Sequence, residues 1–231
     1  MRTVSAAAKP GRRTPPLSGA LAFLLLNLPL GILGFTLITA LTAAGLGTAI
    51  VWLGVPLLGL LVLLVRGAGR MERARVFALL DTYIDRPYLP LPPGRQRNRW
   101  VTRLKDSATW RDLAYFFLLF PLGLVEFVLV VAFWAVALGL VALPVYYRFL
   151  PGGAWHFPSY DVRWITVDST VTALPWAALG VLLVALAAAL TRALAAFHCE
   201  FSVALLRPTV AQRQRMERSW NAIDGMSTVT G

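Results

Sequence analysis

The sequence predicts an all-α membrane protein, with four transmembrane helices built from two parallel repeated helix hairpins. Three observations predict it. Hydrophobic residues make up 58% of the 231 and charged residues 14%, too little charge to cover the surface of a soluble domain. Residues 21–65 hold no charge, and residues 113–147 hold one, Glu126; roughly 20 apolar residues already let a helix cross a bilayer. The third observation is an internal repeat. Shifted by 92 residues, 21–47 match 113–139 at 12 of 27 positions; shifted by 126, 53–80 match 179–206 at 10 of 28.

The elements follow in order. Residues 1–17 form a basic tail with Arg2, Lys9, Arg12 and Arg13. The apolar run behind it far exceeds the roughly 7–15 residues of a signal-peptide core, so it reads as an uncleaved helix over about 18–42. Two glycines in "TAAGLGT" mark a turn, and a second helix covers about 46–68. The stretch "RGAGRMERARVFALLD" continues it outward, with Met71, Ala74, Phe77 and Ala78 on one face and arginines on the other. That pattern suits a helix lying on, or leaving, an anionic membrane surface. Next, "DRPYLPLPPGRQRNRW" packs four prolines into seven residues and must be extended. A third helix covers about 110–143; Thr109 and Asp112 have capping-box spacing, and Trp110 suits the headgroup level. The loop 148–172, too short to fold as a separate domain, leads to a fourth helix over about 172–194. The domain so defined is 18–206, followed by a tail, 207–231.

Charge sets the expected orientation. Of 22 Lys and Arg, four lie in residues 1–20, eleven in 66–111 and five from Arg192 onward, leaving only Arg148 and Arg163 between the last two helices. The positive-inside rule then makes both termini and the loop 66–111 cytoplasmic, and 148–172 extracytoplasmic. Both hairpins would enter from one side, a parallel repeat about the membrane normal.

Chemistry-bearing residues are few. There is no HExxH, GxSxG, Walker loop or CxxC, so a non-enzymatic protein is expected, with no cofactor and no metal site. A single cysteine, Cys199, excludes an internal disulfide and reads as a small packing residue. His156 and His198 are the only histidines, and neither has a second His or Cys at ligand spacing. The candidate ligand-binding residues are Glu126, Thr36, Thr39, Trp155, His156 and Trp164. Glu126 lies 14 residues beyond Asp112, about 21 Å along a helix, where an unpaired charge costs on the order of 3 kcal/mol. By the repeat, Thr36 and Thr39 share its depth, whereas Asn27 sits seven positions earlier, roughly 10 Å away and too far for a direct bond. Trp155, His156 and Trp164 belong to an outer loop read as an interfacial aromatic belt or a lid over a site between the helices.

The pair "LLNLPLGILGF" and "FFLLFPLGLVEF", with "ATWRDLAY" and "RGAGRMERAR", resembles the sensor domain of actinobacterial membrane proteins, commonly the N-terminal membrane module of two-component histidine kinases. The resemblance covers about 18–206 and implies a four-helix module that detects an envelope-related or lipid-soluble signal. Kinase members continue into a phosphoacceptor histidine segment and an ATPase domain. Here "RMER" is followed by Asn221 and no histidine, so the output is expected in a separate protein. The expected partners are the lipid bilayer, a cytoplasmic kinase or other effector, and a second copy of the chain, with no nucleic acid. The competing reading is a small transporter or permease subunit, drawn from the repeat and the intramembrane acid. An intramembrane enzyme acting on lipid lacks a paired acid and base.

Overall fold

The computed structural model describes residues 15–89, 96–159 and 161–229, and their side chains except those of 51 and 220–229. The tail's four basic residues and the proline-rich 90–95 lie outside the described residues. Four helices are long and apolar enough to cross a membrane: α1 (Leu17–Gly47), α2 (Gly54–Leu80), α4 (Ser107–Tyr146) and α5 (Thr170–Leu206). The remaining elements are α3 (Gln96–Lys105), the strands β1 (Trp155–Pro158) and β2 (Arg163–Val167), and α6 (Val210–Val229).

The all-α class and the four membrane-length helices stand as the composition requires. The helix ends shift. The α1–α2 turn falls at 48–53, around the short 3-10 segment Ala49–Val51, because Gly45 and Gly47 stay helical. Gly45 is retained for packing: a Cβ there would lie 2.7 Å from the Leu58 side chain. At the start of α4 the cap is Asp106, whose carboxylate accepts from the Ala108 N–H. Thr109 and Asp112, expected to cap this helix, lie inside it and are buried. The capping box is found instead at α5, between Ser169 and Thr172.

The amphipathic reading of α2 is inverted. Met71 is 73% exposed and Phe77 53%, with Ala74 and Ala78 exposed as well, whereas Arg66, Glu72 and Arg73 are buried. The apolar face points outward and these three charges point inward, the arrangement that suits a lipid environment, while Arg70 stays exposed. Leu33, Leu118, Val125 and Leu182 on the other long helices are exposed in the same way.

The hairpins pack antiparallel, where a parallel pair was expected. Gly34 faces Phe116, Gly31 faces Leu119 and Phe120, and Gly123 faces Asn27; residue numbers rise on α1 as they fall on α4. The close approach needs glycine, since a Cβ on Gly31 would sit 2.8 Å from the Phe120 Cα, and one on Gly123 2.9 Å from the Asn27 carbonyl. The positions aligned by the 92-residue shift exchange roles here, Gly31 meeting Leu119 while Gly123 meets Asn27. The α1–α2 turn and the loop after α4 therefore stand at opposite ends of the bundle. The connector makes this arrangement reachable by folding back along the helices. The Cys199 thiol donates to the Thr82 hydroxyl at 3.4 Å, the Tyr88 hydroxyl meets Asp112, and the Leu89 N–H donates to Asp106 at 3.4 Å. Sequence identity between two copies carries no information about the direction of the axis relating them.

The core gathers where the four long helices overlap, around Phe23, Leu24, Val76, Tyr115, Leu119 and Leu206. A second, small cluster of Leu143, Val167 and Ala173 seats the β1–β2 hairpin on the far ends of α4 and α5, with Trp155 against Trp176.

Candidate functional site

Each long helix turns polar residues inward at helical spacing. Alpha2 contributes Glu72 and Arg75, α4 contributes Tyr115 and Glu126, α1 contributes Asn27, and α5 contributes His198 and Ser202. Their side chains close a ring. Arg75 donates to Glu72 through Nε at 2.9 Å and Nη2 at 2.7 Å, and Nη2 also donates to Asn27 Oδ1 at 2.7 Å. With its oxygen so engaged, Asn27 turns Nδ2 to Glu126 Oε2 at 2.7 Å. His198 Nδ1 lies 2.8 and 2.9 Å from the two Glu126 oxygens. Tyr115 closes the loop: its hydroxyl donates to Glu72 Oε1 at 2.7 Å and lies 3.1 Å from His198 Nε2. Asn27, Tyr115, Glu126 and His198 are each at most 1% exposed.

Proton counting fixes part of this ring. The Tyr115 phenol has one hydrogen, directed to Glu72, so His198 Nε2–H donates to the phenol oxygen. An ionised carboxylate only accepts, and Nδ1 points at one within hydrogen-bond reach. A proton must therefore sit between His198 and Glu126, either on the imidazole or on the carboxyl group. Phe23 meets the imidazole edge-on at 5.1 Å, and Phe201 stacks on Tyr115 at 5.4 Å. The ring is thus enclosed by aromatic faces, and the Arg75 guanidinium lies 4.0 Å over Phe23.

A second buried cluster adjoins the ring. Arg73 pairs with Asp112 at 2.7 Å, and Arg66 pairs with Asp106 at 3.1 Å while donating to the Thr109 hydroxyl at 2.7 Å. Gly69 opens the space for the first pair, since a Cβ there would meet the Asp112 carboxylate at 2.6 Å. Tyr88, from the connector, donates to Asp112 Oδ2 at 2.6 Å and accepts from Arg73 Nη1 at 3.0 Å. Burial, and then the Asp112 charge, push its phenol well above the ordinary range. Among the described residues of the two clusters, Arg66, Arg73 and Arg75 face Glu72, Asp106, Asp112 and Glu126.

The second cluster reaches the end of α5. Arg73 donates to the Leu206 carbonyl through Nε at 3.3 Å and Nη2 at 3.2 Å. From α4, Arg111 donates to the carbonyls of Ala204 and Arg207. Cations there satisfy the free carbonyls of a helix C-terminus and oppose its dipole. After Pro208, α6 starts on a box of its own: the Gln212 N–H donates to Thr209 Oγ1 at 3.2 Å, and the Thr209 N–H to Gln212 Oε1 at 2.9 Å.

The residues expected to form one site are not brought together. Glu126 is central, but its partners are Asn27 and His198. Thr36 and Thr39 are exposed on α1 and do not reach it. Trp155, His156 and Trp164 lie in the hairpin, which packs beside Leu143, about 26 Å from Glu126 along α4 at 1.5 Å per residue. There His156 Nδ1 is 3.1 Å from the Thr166 hydroxyl, and Trp164 is 75% exposed. The hairpin therefore covers the end of α4 and α5 and does not cover Glu126. The bond between Asn27 and Glu126, judged too long from a same-direction depth estimate, forms because α1 and α4 run in opposite directions.

Charges turned inward, leucines turned outward and four helices of membrane length define a membrane-embedded helical module with a polar core. The chain belongs to the family described as "Putative sensor", whose model matches residues 23–206. That span begins at Phe23 and ends at Leu206, and so contains the whole ring and the last residue of α5. No curated protein and no solved structure matches the chain.

Proposed function

We propose that the protein is a non-enzymatic membrane sensor that detects an envelope-derived or lipid-soluble signal and relays it to a separate cytoplasmic partner. The observation that carries this reading is the closed ring Glu72–Arg75–Asn27–Glu126–His198–Tyr115, which joins all four long helices. A signal that changes the packing of any one helix must strain or break a bond in this ring, because interfaces of this kind switch between arrangements and do not deform smoothly. The change then has a covalent route outward, through α5 and Pro208 into α6. The concentration of basic residues in α3 and α6 supports a cytoplasmic position for both.

The transporter reading is weaker, because both Glu126 oxygens are already engaged by Asn27 and His198. Purification from native membranes with and without residues 210–229 tests the proposal. The full chain should bring down a cytoplasmic kinase or other effector, and the truncated chain should not. An identical set of partners for both chains contradicts the relay. Proton or solute flux in liposomes that Glu126→Gln abolishes would favour the transporter.

A further inference from the structure

Alpha3 packs at a gap in α2. Its Trp100 ring lies 3.4 Å from the position a Gly59 Cβ would take, so the missing side chain is what lets the indole seat there. Gly59, Leu63, Arg66 and Arg70 follow at intervals of four, three and four residues, which puts them on one face of α2. Arg103 stands 4.9 Å over the Trp100 ring, and Arg66 and Arg70 stand 4.1 and 5.4 Å from the Tyr88 ring. Burial, then the neighbouring charges of Arg66, Arg99 and Arg70, hold the Arg103 guanidinium below its ordinary range. Arg66, Arg99 and Arg70 thus all act on Arg103. Arg66 is neutralised by Asp106. Among the described residues, Arg70, Arg99 and Arg103 have no carboxylate at salt-bridge distance. Apolar surface continues from this patch, with Leu63 43%, Val101 40% and Leu104 47% exposed.

We infer that Arg70, Arg99 and Arg103 form a site for the phosphate headgroup of an anionic phospholipid, whose acyl chains lie along Leu63, Val101 and Leu104. Guanidinium forks match phosphate oxygens in pairs, and a phosphate relieves the repulsion that Arg70 and Arg99 exert on Arg103. Adjacent exposed apolar side chains, Leu63 on the membrane-length α2 and Val101 and Leu104 on α3, select a lipid over a soluble anion. The site lies apart from the buried ring, and its presence does not depend on the relay proposed above.

The test uses the full chain in neutral detergent and native mass spectrometry with phosphatidylglycerol or phosphatidylcholine of matched chains. Wild type should retain phosphatidylglycerol at least ten-fold better. The triple variant Arg70→Gln, Arg99→Gln, Arg103→Gln should bind both lipids alike, with unchanged helicity by circular dichroism. A charge-matched control, Arg148→Gln, Arg215→Gln, Arg218→Gln, should keep the preference. Equal retention of both lipids by wild type overturns the site, and so does an equal loss in the control variant. Displacement of the lipid by millimolar inorganic phosphate would assign the arginines to a free anion and overturn the lipid reading.

Discussion

His198 Nδ1 sits 2.8 Å from one Glu126 oxygen and 2.9 Å from the other, in a pocket where both side chains are at most 1% exposed. The two residues are 72 positions apart on α4 and α5 and hold one proton between them. Removing either partner leaves the other buried with a remaining hydrogen bond, to Asn27 for Glu126 and to Tyr115 for His198; breaking a buried pair in this way costs up to about 3–5 kcal/mol. Glu126→Gln and His198→Gln should each lower thermal stability in detergent, and the double variant should lose less than the sum of the two. Losses that add, within about 0.5 kcal/mol, would mean the pair is not coupled.

The α1–α4 crossing depends on two absent side chains. Gly31→Val and Gly123→Val must push backbone apart, at a cost of about 1–3 kcal/mol each. Gly139→Ala, where a Cβ would meet nothing within 4 Å, is the control and should be neutral. A melting series in detergent micelles checks this ranking. Equal behaviour at all three positions would place the crossing elsewhere.

Antiparallel hairpins put Ile50, which is 90% exposed, and Gly153 at opposite ends of the molecule. In a Cys199→Ser background, single cysteines at 50 and 153 should react with a membrane-impermeant maleimide from opposite sides of sealed vesicles. Labelling of both from one side would restore the parallel arrangement.

The connector is held by Tyr88, whose phenol is raised from 10.0 by burial and by Asp112. A raised phenol favours the protonated form in the folded chain. Its contribution is thus fully present below pH 10 and is lost as pH rises toward the folded value. Limited proteolysis of the connector should accelerate above pH 10 in wild type. In Tyr88→Phe, cleavage should be faster at neutral pH and should depend less on alkali. A steeper alkaline response in the variant would contradict this role.

Much of the fold was legible because lipid imposes a simple rule: a helix that crosses it needs a long uncharged run, and residues 21–65 and 113–147 supply such runs. Glu126 was legible for the same reason, as a costly exception. Its partners were not. Asn27 was excluded by a depth argument that assumed α1 and α4 point the same way, and nothing in either run reveals their relative direction. The arginines of α2 looked like surface charge because soluble amphipathic helices turn charge outward; in lipid the sign reverses, and Arg66 and Arg73 go inside. A usable signal was present. Asn27, Tyr115, Glu126 and His198 are isolated polar groups in apolar surroundings, and each is too costly to leave unpaired.

The central claim is that the ring controls the position of α6, and a distance between two spin labels tests it most directly. With Cys199→Ser and labels at exposed Met71 on α2 and Arg215 on α6, pulsed electron resonance on the full chain in lipid nanodiscs gives the distance distribution. The account predicts a narrow distribution in the parent chain and a shifted or distinctly broader one once Glu126→Gln breaks the ring, with helicity unchanged. Superimposable distributions in the two folded proteins would contradict it.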